Sequence, residues 1–283
     1  MSTMNSLNND ITVKVVNEPE LKAGSVHSLE ENLSILKELR LSGMAQALSD
    51  SKQDCSFLEL GFNDQLYELL KVEITKRRNS CYQRRLKKCE LTSSATQEVI
   101  SERKKSYHLT QSHIDYLMSG QWHKEGELII ITGKCGCGKT DLASAIVDAS
   151  CRNGLKCLCV DYSLMITELA SALFSSDHKA YENAKKQYYS HDVLFIDDIC
   201  IGEQRNGESF VFKDLVQKCR ENNRCGLILA SQLSPVNWLQ HMGGSKEAAD
   251  AVMDRILHNY QLIQLEGQSQ RSEKPKLKNE EEQ

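Results

Sequence analysis

The sequence predicts an α/β fold in which a parallel sheet of five strands is covered by helices and follows a small helical domain. From Glu127 onward, short apolar runs alternate with helical patterns, which is typical of strand–helix–strand units. A glycine-rich turn follows the first run, whereas the residues before that run show helical periodicity alone. All five runs are short and apolar, as strands buried on both faces are. The predicted strands are Leu128–Ile131, Lys156–Val160, Val193–Ile196, Leu227–Ala230 and Leu262–Leu265.

Composition limits the classes of protein that this chain can belong to. Its 283 residues can hold one α/β domain and a smaller accessory region. The net charge of −4 predicts no overall attraction to nucleic acid, so that any such binding requires a local basic patch. No apolar stretch approaches the roughly 18 residues of a membrane span, and the chain does not open on a basic-then-apolar leader. We therefore expect a cytoplasmic protein with no membrane partner.

The patterning divides the chain into four regions. Residues 1–27 are polar and aperiodic and predict a disordered tail, and the charged residues 272–283 predict a second one. Residues 28–105 predict a helical N-terminal domain. Residues 106–271 contain all of the predicted strands and form the α/β domain.

The predicted helical domain carries a strong excess of positive charge. Apolar spacing predicts one amphipathic helix over Leu29–Met44 and a second over Phe57–Thr75. Eleven basic residues and four glutamates lie between Lys71 and Lys105, a local net charge of +7. Such a run is either a solvated helix face or a surface that binds duplex DNA through its phosphates, with little dependence on base sequence. The candidate DNA-binding residues are Lys76, Arg77, Arg78, Arg84, Arg85, Lys87 and Lys88.

The glycine-rich turn GKCGCGKT matches the phosphate-binding pattern G-x-x-x-x-G-K-[ST] at every required position. A predicted strand precedes it and the helical stretch Leu142–Cys151 follows it, an arrangement that directs backbone N–H groups and the positive helix end at bound phosphates. Lys139 is expected to reach the β- and γ-phosphates of ATP, and Thr140 to ligate Mg²⁺. The candidate nucleotide-binding residues are Gly133, Lys134, Cys135, Gly136, Cys137, Gly138, Lys139, Thr140 and Asp141.

Polar residues at the ends of later strands complete the candidate site. The strand Val193–Ile196 runs into Asp197 and Asp198. We expect Asp197 to hold Mg²⁺, partly through water, and Asp198 to orient the attacking water. Ser231 and Gln232 end another strand and are candidates for contact with the γ-phosphate or that water. Arg255 is either an arginine finger that acts on the site of a neighbouring subunit or an exposed helix arginine.

Longer segments around these residues resemble the IstB family of AAA+ ATPases, which are encoded beside transposases in bacterial insertion sequences and are related to the DnaC helicase loader. The resemblance extends from about Leu33 to Arg271 and is most specific in one run near the C-terminus. The matching segments are Leu39–Met44, Arg77–Lys88, Gln121-Trp122, Asp197-Asp198, Ala230–Gln232, Trp238, Ala249–Asn259 and Leu265–Arg271.

The resemblance implies an AAA+ P-loop core in which the strand bearing Ser231 lies between the phosphate-loop strand and the strand bearing Asp197. It also implies a homo-oligomer that assembles on duplex DNA with ATP, with each ATP site completed by Arg255 of a neighbour, and that recruits a partner transposase. A DnaC-like replicative helicase loader and a nucleotide-gated binding module without hydrolysis remain alternatives. Asp198 stands where many AAA+ proteins have glutamate, which predicts slow hydrolysis.

Overall fold

A computed structural model describes residues 27–104, 107–177, 179–200, 207–221, 225–242 and 259–266. The chain divides into two compact units between Lys76 and Arg77. This differs from the boundary predicted at residue 105, because the segment after Arg77 packs with the sheet rather than with the first helices. Cys89 and Ile100 are fully buried in the same cluster as Ile129 of the first strand.

The first unit begins with two helices where the sequence predicts one. Helix α1 covers Leu29–Glu38 and helix α2 covers Ser42–Asp50. The single helix predicted over Leu29–Met44 is therefore wrong. Arg40 between them has a φ of 58°, a left-handed backbone conformation that an α-helix does not accommodate. A 3₁₀ turn over Ser51–Gln53 and the short helix α3, Cys55–Leu58, follow.

Helix α4 is longer than the second predicted helix. It spans the 28 residues of Phe62–Cys89, whereas the sequence predicts Phe57–Thr75. No proline or glycine interrupts this stretch, so the helix continues beyond the apolar residues into the basic segment. The candidate DNA-binding residues therefore all lie on one regular helix.

The second unit contains the predicted parallel sheet of five strands. The strand order is β2-β3-β4-β1-β5, and all neighbours are parallel. The position of β4 between β1 and β3, which the family resemblance implies, is confirmed, with Thr132 paired to Ser231. All five predicted strands are confirmed, each longer or shorter by one or two residues at an end. They are β1 Leu128–Gly133, β2 Cys157–Asp161, β3 Val193–Asp197, β4 Gly226–Ser231 and β5 Tyr260–Leu265.

Helices cover both faces of the sheet. Alternate strand residues point to opposite faces, so Ile129 and Phe195 pack with α5, α6 and α8, whereas Ile130 and Leu194 pack with α9 and α11. The helices are α5 Gln97–Glu102, α6 Gln111–Ser119, α7 Gln121–Lys124, α8 Lys139–Arg152, α9 Tyr162–Leu173, α10 Ala180–Tyr189, α11 Glu208–Arg220 and α12 Pro235–Met242.

Most cysteines serve as small core residues. All eleven are free thiols, and Cys151, Cys157, Cys159, Cys219 and Cys225, which lie in or beside apolar runs, are buried. In the parts of the chain that the structure describes, no helix is both long and apolar enough to cross a bilayer.

Candidate nucleotide site

The phosphate loop, Gly133–Thr140, joins the end of β1 to the start of α8, and two of its glycines are required by close packing. Gly133 has a φ of 154°, and a Cβ there would lie 2.6 Å from the carbonyl oxygen of Leu265. Gly138 has a φ of 92°, and a Cβ there would lie 2.5 Å from the hydroxyl of Tyr107. Only glycine fits both the conformation and the space at these two positions. The two glycines of the sequence pattern are therefore required by packing.

Lys139 bonds within the phosphate loop, and Thr140 bonds to the end of β3. The Nζ of Lys139 donates to the carbonyl oxygens of Gly133 and Lys134 at 3.0 and 3.2 Å. Lys139 is 6% exposed, and no carboxylate of the described residues forms an ion pair with it. Because this ammonium bonds to carbonyl oxygens and to no carboxylate of the described residues, it is available to pair with an anion. The Thr140 hydroxyl donates to Asp197 Oδ2 at 2.8 Å, so a hydroxyl and a carboxylate meet where a cation would be shared.

The two aspartates at the end of β3 differ in environment. Burial raises the pKa of Asp197, while the hydrogen bond from Thr140 opposes that effect. Asp198 is exposed, and its backbone N–H donates to Asp197 Oδ1 at 2.9 Å. Its φ of 55° is rare for a residue other than glycine and is typical of strained positions at functional sites. Asp197 thus faces the loop, and Asp198 lines the open side of the same cavity.

Ser231 occupies the predicted strand position, but its side chain is used in the fold. It is fully buried, and its hydroxyl donates to the carbonyl of Ile199 at 2.7 Å and accepts from the N–H of Leu233 at 3.1 Å. This geometry gives no support to a contact between Ser231 and a phosphate. The next residue, Gln232, lines the phosphate-loop cavity instead.

A cavity of about 550 Å³ lies against the phosphate loop, a volume typical of small-molecule sites. Three residues that line it come from the segment between α4 and α6 and were missed in the sequence. Ser93 and Arg103 both bond to Asp141, at 2.6 and 3.1 Å. Thr92 and Ser93 lie in the loop before α5 and Arg103 directly follows α5, and only tertiary packing brings them here. The lining residues are Thr92, Ser93, Arg103, Cys135, Gly136, Gly138, Lys139, Thr140, Asp141, Asp197, Asp198 and Gln232.

The remaining predicted residues lie apart from this cavity or outside the described part of the chain. None of the candidate DNA-binding residues lines it. Arg255 and most of the run Ala249–Asn259 lie outside the described residues, as do both predicted tails except for His27. The structure thus brings together Lys139, Thr140, Asp141, Asp197 and Asp198.

The glycine-rich loop, the acidic end of β3 and the interposed β4 define a P-loop nucleotide-binding protein. A profile of the IstB-like ATP binding protein family matches residues 34–278, and the chain belongs to that family. It is accordingly an ATP-binding protein of the AAA+ P-loop class and an ATPase.

Curated relatives carry similar descriptions. An insertion-sequence ATP-binding protein of Mycobacterium tuberculosis is 27% identical over 239 residues, which cover 84% of this chain and 93% of the relative. An insertion-sequence ATP-binding protein of Sinorhizobium fredii is 27% identical over 240 residues, covering 84% and 94%. Among solved structures, that of DnaI is 19% identical and covers 62% of this chain and 90% of its own, with a TM-score of 0.48.

Proposed function

We propose that this protein is an ATP-dependent transposition helper that assembles on duplex DNA, remodels the DNA and recruits or stimulates a partner transposase. Hydrolysis of ATP would release or reset the assembly. One observation carries this proposal. The chain belongs to an insertion-sequence family and contains both an ATP site and a helix rich in exposed cations. A duplex DNA substrate would place this activity in the cytoplasm.

In the nucleotide site, Lys139 binds the phosphates of ATP, and Thr140 and Asp197 hold Mg²⁺. The Thr140–Asp197 pair fits this ion because both groups offer the oxygen ligands that Mg²⁺ prefers. The bound cation supplies charge neutralisation for the transferred phosphoryl group. Asp198 is the group that orients the attacking water, and Gln232 replaces Ser231 as the contact from β4. Arg255 of a neighbouring subunit completes the site, which makes each ATP site a subunit interface.

The basic half of α4 is the proposed DNA interface. Arg78, Lys87 and Lys88 are exposed, and within the described residues none of them pairs with a carboxylate. Cations without intramolecular partners are available to phosphates, and each phosphate neutralised releases counterions. The interface should therefore bind duplex DNA with little sequence preference and with strong salt dependence.

Tyr82, the aromatic residue within this segment, has a structural partner. Its hydroxyl donates to Asp148 of α8, and the guanidinium of Arg152 lies 4.6 Å from the centre of its ring. The Tyr82 side chain is therefore not part of the proposed interface. The interface binds DNA through contacts with phosphates.

Electron microscopy of the protein with ATP and duplex DNA tests the proposed assembly. We expect ordered oligomers that require both ligands, and persistent monomers would contradict the proposal. In parallel, DNA affinity is measured against salt for the wild type and for the double variant Arg78→Ala, Lys87→Ala. The variant should lose about 0.9 units of slope in log affinity against log salt for each phosphate contact removed.

Two further outcomes identify the alternatives. A preference for single-stranded DNA together with binding of a replicative helicase would favour a helicase loader. Assembly without single-turnover hydrolysis of ATP would favour a nucleotide-gated binding module.

A further inference from the structure

A second cavity, of about 380 Å³, opens between the basic half of α4 and the start of β2. Strand β2 is an edge strand of the sheet, hydrogen-bonded to β3 alone. Arg84, Arg85 and Lys88 line the cavity from α4 at spacings that place them on one helix face. Lys156 enters it from the residue before β2, and His191 from the loop before β3. Three separate segments of one compact unit thus contribute positive or protonatable groups to one concave surface.

The lining of this cavity concentrates positive charge, although the carboxylate of Asp192 lies beside it and accepts from the N–H of Lys156. No carboxylate lines it, and within the described residues none of the four Lys and Arg side chains forms an ion pair. Like charges this close repel one another, which disfavours the arrangement in the absence of an anion. A bound anion removes the repulsion, and Arg and Lys are the side chains that bind phosphate oxygens.

Local hydrogen bonds hold these cationic groups in place. The N–H of Lys156 donates to Asp192 Oδ2 at 2.8 Å, which fixes the backbone from which the lysine extends. Nδ1 of His191 lies 2.8 Å from the carbonyl oxygen of Gln187, which accepts its proton, so that Nε2 is left for another partner and donates to an anion when the ring is protonated. Arg84 donates to the carbonyl of Ser80 at 3.3 Å. Arg84 and the ring of His191 are thus held by hydrogen bonds, and Lys156 extends from a fixed backbone position.

We propose that this cavity seats a backbone phosphodiester of duplex DNA, and that Lys156 and His191 act with Arg84, Arg85 and Lys88 as one phosphate-binding site. The inference rests on the proposed DNA-binding function and extends it from α4 to the edge of the sheet. The lining residues include no aromatic ring besides His191, so the site recognises phosphate rather than a base. DNA bound there contacts the ATPase sheet directly, through residues that flank β2 and β3.

The test compares Lys156→Ala with Lys179→Ala in duplex binding. Both lysines are exposed, and Lys179 lies at the other end of α10 from His191, about 15 Å away by helix length. Lys156→Ala should lower the salt slope by about 0.9 units and weaken binding several-fold on duplexes of any sequence. Lys156→Arg should restore the slope, His191→Ala should weaken binding in the same direction, and Lys179→Ala should leave both quantities unchanged.

Other outcomes would overturn the cavity site or the interface on α4. If Arg78→Ala with Lys87→Ala lowers the salt slope and Lys156→Ala does not, α4 is the interface and the cavity site is overturned. If neither variant lowers it, the proposed DNA interface on α4 falls as well. Equal losses for Lys179→Ala and Lys156→Ala would show a general charge effect and would also overturn the site. Acetylation of the wild-type protein is independent of variant folding: duplex DNA should protect Lys156 and Lys88 but not Lys179.

Discussion

At the scale of single residues, Asp141 determines how the phosphate loop is connected to the rest of the chain. One carboxylate oxygen accepts from Ser93 at 2.6 Å and the other from Arg103 at 3.1 Å. The ion pair is partly exposed, with side-chain exposures of 40% and 32%, so that it adds little to stability. The ion pair instead positions the Arg103 guanidinium, so that a positive charge lies at the edge of the nucleotide cavity.

We expect Arg103→Ala to weaken ATP binding by about tenfold, the usual order for one charge-assisted hydrogen bond, and to weaken AMP binding much less. The reason is that a guanidinium beside the phosphate loop interacts most with the charge of a triphosphate. Equilibrium binding of ATP, ADP and AMP to the wild type and the variant provides the measurement. Asp141→Asn is the matched control: equal losses for all three nucleotides in both variants would mean that the pair only anchors the segment.

Much of this site was predictable and part of it was not, for a physical reason. Lys139 and Thr140 lie within eight residues whose spacing is fixed by the shape of a phosphate, and Asp197 follows a buried strand that ends at the same sheet edge. Those constraints are local and can be recognised in the sequence. Arg103 and Ser93 flank α5 and depend on how that segment packs against α8, and the hydrogen bond of Ser231 to Ile199 is a tertiary contact that the sequence does not show.

At the scale of elements, α4 is a single helix whose ends have different partners. In the first unit, the buried Glu73 accepts hydrogen bonds from the N–H groups of Gly43 and Met44, at 2.6 and 3.0 Å, at the start of α2. A carboxylate there compensates for the N–H groups that lack partners within the helix and for the positive helix end. In the second unit, Tyr82 and Cys89 pack α4 onto the sheet and its helices.

Glu73→Gln should lower the free energy of unfolding of the first unit by about 1 kcal/mol, because the amide keeps an acceptor but loses the charge at the helix start. Chemical denaturation followed by circular dichroism measures the change. Glu68→Gln is the control, because Glu68 forms only an exposed pair with Lys71 at 3.5 Å and should change stability by less than about 0.5 kcal/mol. Equal effects of the two variants would argue against the capping role.

Tyr82→Phe should destabilise the second unit by about 1–2 kcal/mol, since it removes a part-buried hydrogen bond to the side chain of Asp148. Burial raises the pKa of Tyr82 to about 12, with the hydrogen bond to Asp148 acting in the same direction. The folded state therefore favours the neutral phenol, and its contribution is complete below about pH 10 and lost as the pH rises through about 12. Unfolding free energies of wild type and variant should converge over that interval. A weakened affinity for duplex DNA in the variant would instead indicate that the hydroxyl contacts DNA.

At the scale of the whole molecule, the short apolar runs predicted a five-stranded parallel sheet, and the family resemblance predicted the position of β4 between β1 and β3. Both predictions are confirmed. The boundaries at the N-terminal side were less predictable. An unbroken helix such as α4 has no glycine or proline to mark where one compact unit ends, and Arg40 is left-handed although it is not a glycine or asparagine, the residues that adopt this conformation most readily. How subunits combine is likewise a property of surfaces, so the role of Arg255 remains a prediction for experiment.

Mixing two inactive variants tests whether the ATP site is shared between subunits. Asp198→Asn removes the group proposed to orient water, and Arg255→Ala removes the proposed arginine finger, so each variant alone should bind ATP but hydrolyse it poorly. In a mixed oligomer, an intact Asp198 from one variant faces an intact Arg255 from the other. Random mixing at equal amounts should restore about a quarter of the sites if each site lies between neighbours. The measurement is ATP turnover in the presence of duplex DNA.

The control replaces Asp198→Asn in the mixture by the double variant that carries both substitutions. That mixture contains no site with both groups and should stay inactive. Recovery in the first mixture and not in the second would establish Arg255 as acting on its neighbour. If co-purification shows mixed oligomers and no activity returns, Arg255 acts within its own subunit or not at all, and the shared site must be abandoned.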